Sequence, residues 1–234
     1  MGPSDGFAAE VSGAALIKAQ PMTQWIEKEG ALLVFPIDNR PEPPSLWSRL
    51  YPRSEMRWEW DENGDDRVSK LWIAREALSR SGKVVYSKWY RGRATFFSRE
   101  LFTNLLAARQ VAQRFSDLRS SAVELSRTAI TILEALEMDS PLSTKELKAE
   151  TDLQGKYNER AYEKALKELW SRFLIVGFGE KDDGAFPSLR IGATKNLFED
   201  LWNASLDIEP EAAMKRIREI LPKNSLFLKQ LGRS

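Results

Sequence analysis

The stretch LSTKELKAETDLQGKYNERAYEKALKELWSRFLIVGF, residues 142–178, decides the fold of the C-terminal half. Ser143-Thr144-Lys145-Glu146 has the form of a capping box. The Ser143 hydroxyl is placed to accept the backbone N–H of Glu146, and the Glu146 carboxylate to reach back to the N–H of Ser143. A helix is therefore expected from Thr144 to about Thr151. The connection Asp152 to Tyr157 is polar and holds Gly155. Ala161, Ala165, Leu166, Leu169, Trp170 and Phe173 then recur at helical spacing, which predicts a third helix over Asn158 to Phe173. Leu174 to Phe178 has the composition of a strand, Asp182-Asp183-Gly184 that of a turn, and Ser188 to Gly192 that of a returning strand.

Upstream, Ala122 to Met138 carries Leu125, Ile130, Ile132, Leu133 and Leu136 on a helical period, and Asp139-Ser140-Pro141-Leu142 closes it with a turn. Three helices followed by a hairpin is the winged helix-turn-helix order, expected here over residues 121–205. The first half repeats that order more loosely. Pro21 opens a short helix through Trp25, Ile26 and Lys28 that Gly30 ends, and Ala31 to Phe35 is a compact strand. Five prolines between Pro36 and Pro52 impose turns and short helical pieces. Arg67 to Ser81 has Val68, Leu71, Trp72 and Leu78 near helical spacing, and Gly82 stops it. Val84-Val85-Tyr86, Trp89-Tyr90, the turn Arg91-Gly92-Arg93 and Ala94 to Phe97 read as a hairpin, the wing of the first unit.

The expected fold class is α+β, mainly helical, built from tandem winged-helix units. A loose stretch covers 1–20, and the first unit, with a proline-rich and acidic insert, covers 21–98. A linking amphipathic helix over 99–120, opened by Ser98 and running to about Arg119, leads to the second unit at 121–205. C-terminal helices occupy 206–234, of which Pro210 to Leu221 is amphipathic and must pack on the body or on a partner.

Composition narrows the chemistry. The 234 residues contain no cysteine and no histidine. Disulfides, thiolate nucleophiles, Ser-His-Asp arrangements and histidine- or cysteine-bearing metal sites are thereby excluded. The acidic run Asp61-Glu62-Asn63-Gly64-Asp65-Asp66 fails as a calcium loop: its sixth place is Asp66 rather than glycine, and its twelfth is Trp72 rather than glutamate. No metal and no cofactor are expected. The longest unbroken apolar run, Ala31 to Ile37, is far too short to span a membrane, and the N-terminus lacks a basic signal-peptide region. A cytoplasmic location is expected.

Net charge is only +1, yet it is segregated. Pro41 to Asp66 holds seven acidic and three basic residues, whereas Arg67 to Arg99 holds nine basic residues and the single acid Glu76. In DNA-binding winged helices the third helix enters the major groove and the wing touches the backbone. The candidate contacts are thus Lys156, Tyr157, Asn158, Arg160, Lys164 and Lys167, with Asn158 and Arg160 in reach of base edges. Against this, Glu159, Glu163 and Glu168 leave that helix nearly neutral, and Glu163–Lys167 has the spacing of an ordinary surface pair. Glu180, Asp182 and Asp183 of the second wing outweigh Lys181 and should repel phosphate. The first wing is strongly basic through Lys88, Arg91 and Arg93, with Gly92 allowing close backbone approach to a phosphate. Its alternative is a half-buried hairpin with Trp89 and Phe96 in the core and the cations solvated.

Two stretches resemble the C-terminal region of AlkZ-related proteins: Leu142 to Leu147, and Ala165 to Leu169 with Leu174-Ile175-Val176-Gly177. Val34-Phe35-Pro36-Ile37, Pro44-Ser45-Leu46-Trp47, Trp72 with Glu76 and Leu78, Val85-Tyr86-Ser87-Lys88 and Arg91 to Phe96 with Ser98 extend the resemblance to about residues 25–205. These proteins are distant relatives of winged-helix DNA glycosylases that excise alkylated or crosslinked bases. The resemblance implies tandem winged helices that cradle double-stranded DNA, plain or damaged. It implies no catalytic residue, because the Gln-x-Gln or Gln-x-Asp pair of the active enzymes has no counterpart among glutamines 20, 24, 110, 113, 154 and 230. The expected function is DNA binding, related to repair, without catalysis of its own. The alternatives are a base-excision enzyme of glycosylase type and a protein-interaction module, with the C-terminal helices available to a protein partner.

Overall fold

Residues Val84–Ser87 and Thr95–Ser98 form two antiparallel strands buried at every position, which a wing projecting into solvent would not be. The reason lies in the two-residue period of a strand. Val84, Tyr86 and Phe96 enter one apolar core with Leu32, Met22, Ile26, Val68, Leu71 and Leu78. Val85, Phe97, Ala31 and Leu33 enter a second core with Leu101, Phe102, Ile132, Leu169, Phe173 and Ile175. The strands are apolar on both faces because both faces are covered.

The computed structural model describes residues 20–58, 66–116, 124–184 and 187–232, and it is α+β. In chain order the first half comprises α1 (20–29), β1 (Ala31–Leu33), α2 (Leu46–Leu50), α3 (Arg67–Arg80), β2 (Val84–Ser87) and β3 (Thr95–Ser98). After α4 (Arg99–Ala108) and α5 (Val111–Arg114) come α6 (Arg127–Met138), β4 (Leu142–Ser143), α7 (Thr144–Glu150), α8 (Lys156–Ser171), β5 (Ile175–Lys181) and β6 (Ser188–Ala193). Short helices α9 (Thr194–Leu197) and α10 (Glu199–Ala204) and a 3-10 turn lead to α11 (Pro210–Ile220) and α12 (Leu226–Leu231). One sheet of order β1-β3-β2-β5-β6-β4 runs through both halves. Each half contributes helix, strand, helix, helix, strand, strand in sequence, and each folds its three strands in the same order. The two sets meet at their second strands, β2 and β5, paired antiparallel at Tyr86 and Gly177.

That seam needs Gly177, because a Cβ there would lie 2.3 Å from Tyr86 Cδ1. Just beyond it β5 carries one extra residue, its pairing to β6 shifting between Gly177 and Glu180, with Gly179 at φ +77°. α3 grips this bulge. Arg75 pairs with the Glu180 carboxylate, and the two side chains are only 5% and 9% exposed. The Arg80 guanidinium donates to the Glu180 carbonyl at 2.9 Å, and the Gly179 N–H donates to Ser79 Oγ at 3.0 Å.

Several boundaries differ from the sequence expectation. The helix opened by Ser98 stops at Ala108, because Gln110 turns left-handed at φ 52° and α5 starts a new direction. The bend lets Leu105 and Leu106 as well as Val111, Ala112 and Phe115 reach the core, which one straight helix could not do. α6 begins at Arg127 rather than Ala122, capped by Ser126, whose hydroxyl accepts the Ala129 N–H at 3.3 Å. α8 begins two residues early, and Tyr162 rather than Ala161 fills its buried face. Trp72 is not core but 37% exposed. α11 packs on α4 with Ala213 and Ile217 buried, and Arg216 bonds Glu100 at 2.7 Å. The stretch 1–19, the acidic run 61–65 and residues 117–123 lie outside the described residues.

Removing one member of a buried ion pair leaves a charge uncompensated, which costs about 3–5 kcal/mol. Glu180→Ala should therefore lower the urea midpoint strongly, whereas Arg75→Met with Glu180→Leu should recover much of the loss. Equal destabilisation by the single and double changes would show that packing, and not charge pairing, holds the seam.

Candidate nucleic-acid interface

Lys156, Arg160, Lys164 and Lys167 follow one another at spacings of four, four and three. At 3.6 residues per turn they share a stripe roughly 80° wide along α8. All four are exposed, and none of them forms an ion pair among the described residues. Two of the three acids counted against this helix are engaged elsewhere. Glu159 pairs with Lys148 on α7 at 2.6 Å, and Glu168 accepts the Ser126 N–H at 3.1 Å and its hydroxyl at 2.7 Å. The expected Glu163–Lys167 pair does not form, so Glu163 is the one acid of α8 left on the exposed surface without a partner among the described residues. Four exposed cations against Glu163, the single acid unpaired among the described residues, leave this face of the helix net positive.

The N-terminal end of α8 adds Tyr157, 97% exposed. Gly155 precedes the helix at φ +87° and provides no side-chain cap, while its carbonyl accepts the Asn158 N–H at 3.1 Å. Asn158 does not project with them. Its amide donates to the carbonyls of Asp152 at 3.4 Å and Gln154 at 3.1 Å, so it closes the loop between α7 and α8.

The hairpin between β5 and β6, expected as the second wing, is less acidic at its surface than its acid count implies. Glu180 is withdrawn into the seam with Arg75. Asp183 accepts from the hydroxyls of Ser188 at 2.6 Å and Ser143 at 2.8 Å, bonds that in that order hold its carboxyl below the ordinary range. Lys181 pairs with Glu146, the capping-box glutamate of α7. Only Asp182 of the expected acidic trio remains an exposed carboxylate without these ties.

In the first hairpin Tyr90-Arg91-Gly92-Arg93 makes a tight turn, with Arg93 N–H bonded to the Tyr90 carbonyl at 2.8 Å and both Arg91 and Gly92 at positive φ. Trp89 and Phe96 are buried as the alternative view held, but Arg91, Gly92 and Arg93 all stand exposed. Space around Gly92 is open: a Cβ added there would meet nothing within 4 Å among the described residues. Lys88 differs from its neighbours. It is half-buried, and burial first, then the nearby Arg75, push its ammonium below the ordinary lysine range, while Glu180 acts in the opposite direction.

Spacing within α8 was legible in the sequence, but the partners of Glu159, Glu168 and Glu180 were not, since they lie 11, 42 and 105 residues away. No helix among the described residues is long and apolar enough to cross a membrane, and among them no group of acidic residues is arranged to hold a metal ion.

A family model described as AlkZ-related matches residues 17–226. The chain belongs to the AlkZ-related family. Comparison with curated proteins and with solved structures gave no match. The match spans both halves of the sheet, so the AlkZ-related unit includes the seam, the Arg91–Arg93 turn and the α8 stripe together.

The Glu146 carboxyl is pulled down to about 2, first by its hydrogen bond with Lys181 and then by the Ser143 backbone. A depressed carboxyl contributes stability that is present above its ordinary value of 4.5 and is lost as pH falls through about 2. Thermal midpoints should show Glu146→Gln below the parent at pH 7 and converging on it near the bottom of that window. A gap that stays constant with pH would assign the loss to geometry alone.

Proposed function

We propose that this AlkZ-related protein binds double-stranded DNA through two winged-helix units and has no catalysis of its own. The single observation that carries this is the stripe Lys156, Arg160, Lys164 and Lys167, four exposed cations on the helix that precedes a hairpin, unpaired within the described residues. Four positive charges on one helical face outweigh Glu163, the one acid there unpaired among the described residues, and can bind a phosphate backbone by releasing its counterions. The repeated order of elements supports the tandem winged-helix build. α6, α7 and α8 with the β5–β6 hairpin form one unit, and α1, α2 and α3 with the β2–β3 hairpin form the other. In the first unit the third helix is spent on the seam, so its contribution to DNA is the turn Arg91-Gly92-Arg93 rather than a groove-reading helix. Family membership associates the chain with DNA repair.

The test is anisotropy binding to plain and alkylated duplexes over a salt series, with the same mixtures assayed for abasic sites. Replacing the four α8 cations with glutamine should flatten the salt dependence of log K by roughly three to four, at about 0.9 per lost phosphate contact. Arg91→Ala with Arg93→Ala should flatten it by roughly one to two. Absence of binding at low salt, or a slope untouched by the α8 changes, would refute the proposal. Abasic product would make the protein a base-excision enzyme.

A further inference from the structure

Beside the Arg91–Arg93 turn the structure holds an open cleft of about 490 Å³, within the range that takes small ligands. Phe35, Trp58 and Trp72 form its aromatic wall, and Gly92 and Arg93 form its basic edge. Trp58 is 58% exposed and Trp72 37%, whereas most other large aromatic side chains among the described residues are buried. Exposed tryptophans are costly to keep in water, and here two of them face one opening.

The rings are held in place. Trp58 lies against Phe35 with centroids 5.1 Å apart, tilted by 56°. The Arg75 guanidinium covers Trp72 at 4.0 Å from its ring centre, fixed there by its pairing with Glu180. Met56, on the wall near Trp58, has its backbone N–H and C=O bonded to the Asn39 side chain at 2.8 and 3.1 Å. Asp38 stands exposed at the rim and offers a hydrogen-bond acceptor to an exocyclic amine. Rigid aromatic rings beside a cation are how proteins hold an unstacked base together with its phosphate.

We propose that this cleft receives one unpaired nucleobase of DNA, stacked on Trp58, while Arg93 holds the adjoining phosphate. The inference rests on the DNA-binding function proposed above and adds a preference: DNA with an extrahelical base binds more tightly than matched duplex.

Three probes at low salt separate the two ideas: a matched duplex, a duplex with a one-nucleotide bulge, and the same bulge with its base removed. Stacking of one base is worth about 5- to 150-fold in affinity. The protein should bind the base-bearing bulge tighter than the abasic bulge by a factor in that range, with quenched tryptophan emission. Trp58→Ala should abolish this difference and leave the matched duplex unaffected, and Trp58→Phe should restore most of it. Because Trp58 is exposed, the substitution should leave the fold intact, which circular dichroism checks. Equal affinity for both bulges, or equal loss by Trp58→Ala on all three probes, would overturn base capture while DNA binding stands. No binding to any probe would overturn both.

Discussion

Arg75 and Glu180 sit in a near-dry seam, one on α3 and the other on the bulge of β5, 105 residues apart in sequence. Neither charge is tolerable there alone, since the desolvation of an unpaired ion exceeds what packing returns. Their pairing therefore requires that the two halves meet in one register. Around it the seam is built from small and committed parts. Gly177 leaves room for the Tyr86 ring, Gly179 takes a left-handed turn beneath the Arg80 guanidinium, and Ser79 accepts the freed N–H of the bulge. The six-stranded sheet is continuous because these contacts join β2 to β5.

The same interaction shapes the surface. Of two third helices in equivalent places, α3 uses Arg75, Glu76, Ser79 and Arg80 to hold the neighbouring half. α8 has no such duty, and its Lys156, Arg160, Lys164 and Lys167 remain exposed. Glu180 is drawn inward, away from the exposed surface of the β5–β6 hairpin. Arg75, fixed by Glu180, backs the ring of Trp72 at the aromatic cleft. One buried pair thus sets a helix committed to the seam apart from one with an exposed basic stripe, and backs a wall next to the basic turn.

Much of the fold could be read from local signals. The Ser143 capping box, the helical period of α8, the glycine-bounded α3 and the β-forming runs at 84–86 and 94–97 are near-neighbour patterns, and each element formed within two residues of its pattern, whereas Trp89-Tyr90, also read as β-forming, lies in the turn. What escaped were pairings between distant residues. β4, only two residues long, exists because β6 is beside it. The helix after Ser98 breaks at Gln110 because two apolar sets must reach the same core, which helical propensity does not record. In the candidate interface the residue types were visible and their balance was not. Counting Glu159, Glu168 and Glu180 as surface charge made α8 look neutral and the second wing hostile, although each is engaged by a residue on another element. Lys88 and Asn158, candidate contacts in the sequence, are respectively half-buried and bonded to two loop carbonyls.

The central claim is that one rigid sheet presents two cationic surfaces, the α8 stripe and the Arg91–Arg93 turn, to DNA. Backbone hydrogen exchange with and without a short duplex at low salt tests it most directly. The account predicts slowed exchange on DNA binding at residues 156–167 and at 88–94 in the same molecules, with α11 and α12 unchanged. Protection confined to the C-terminal helices, or none at saturating duplex, would contradict it.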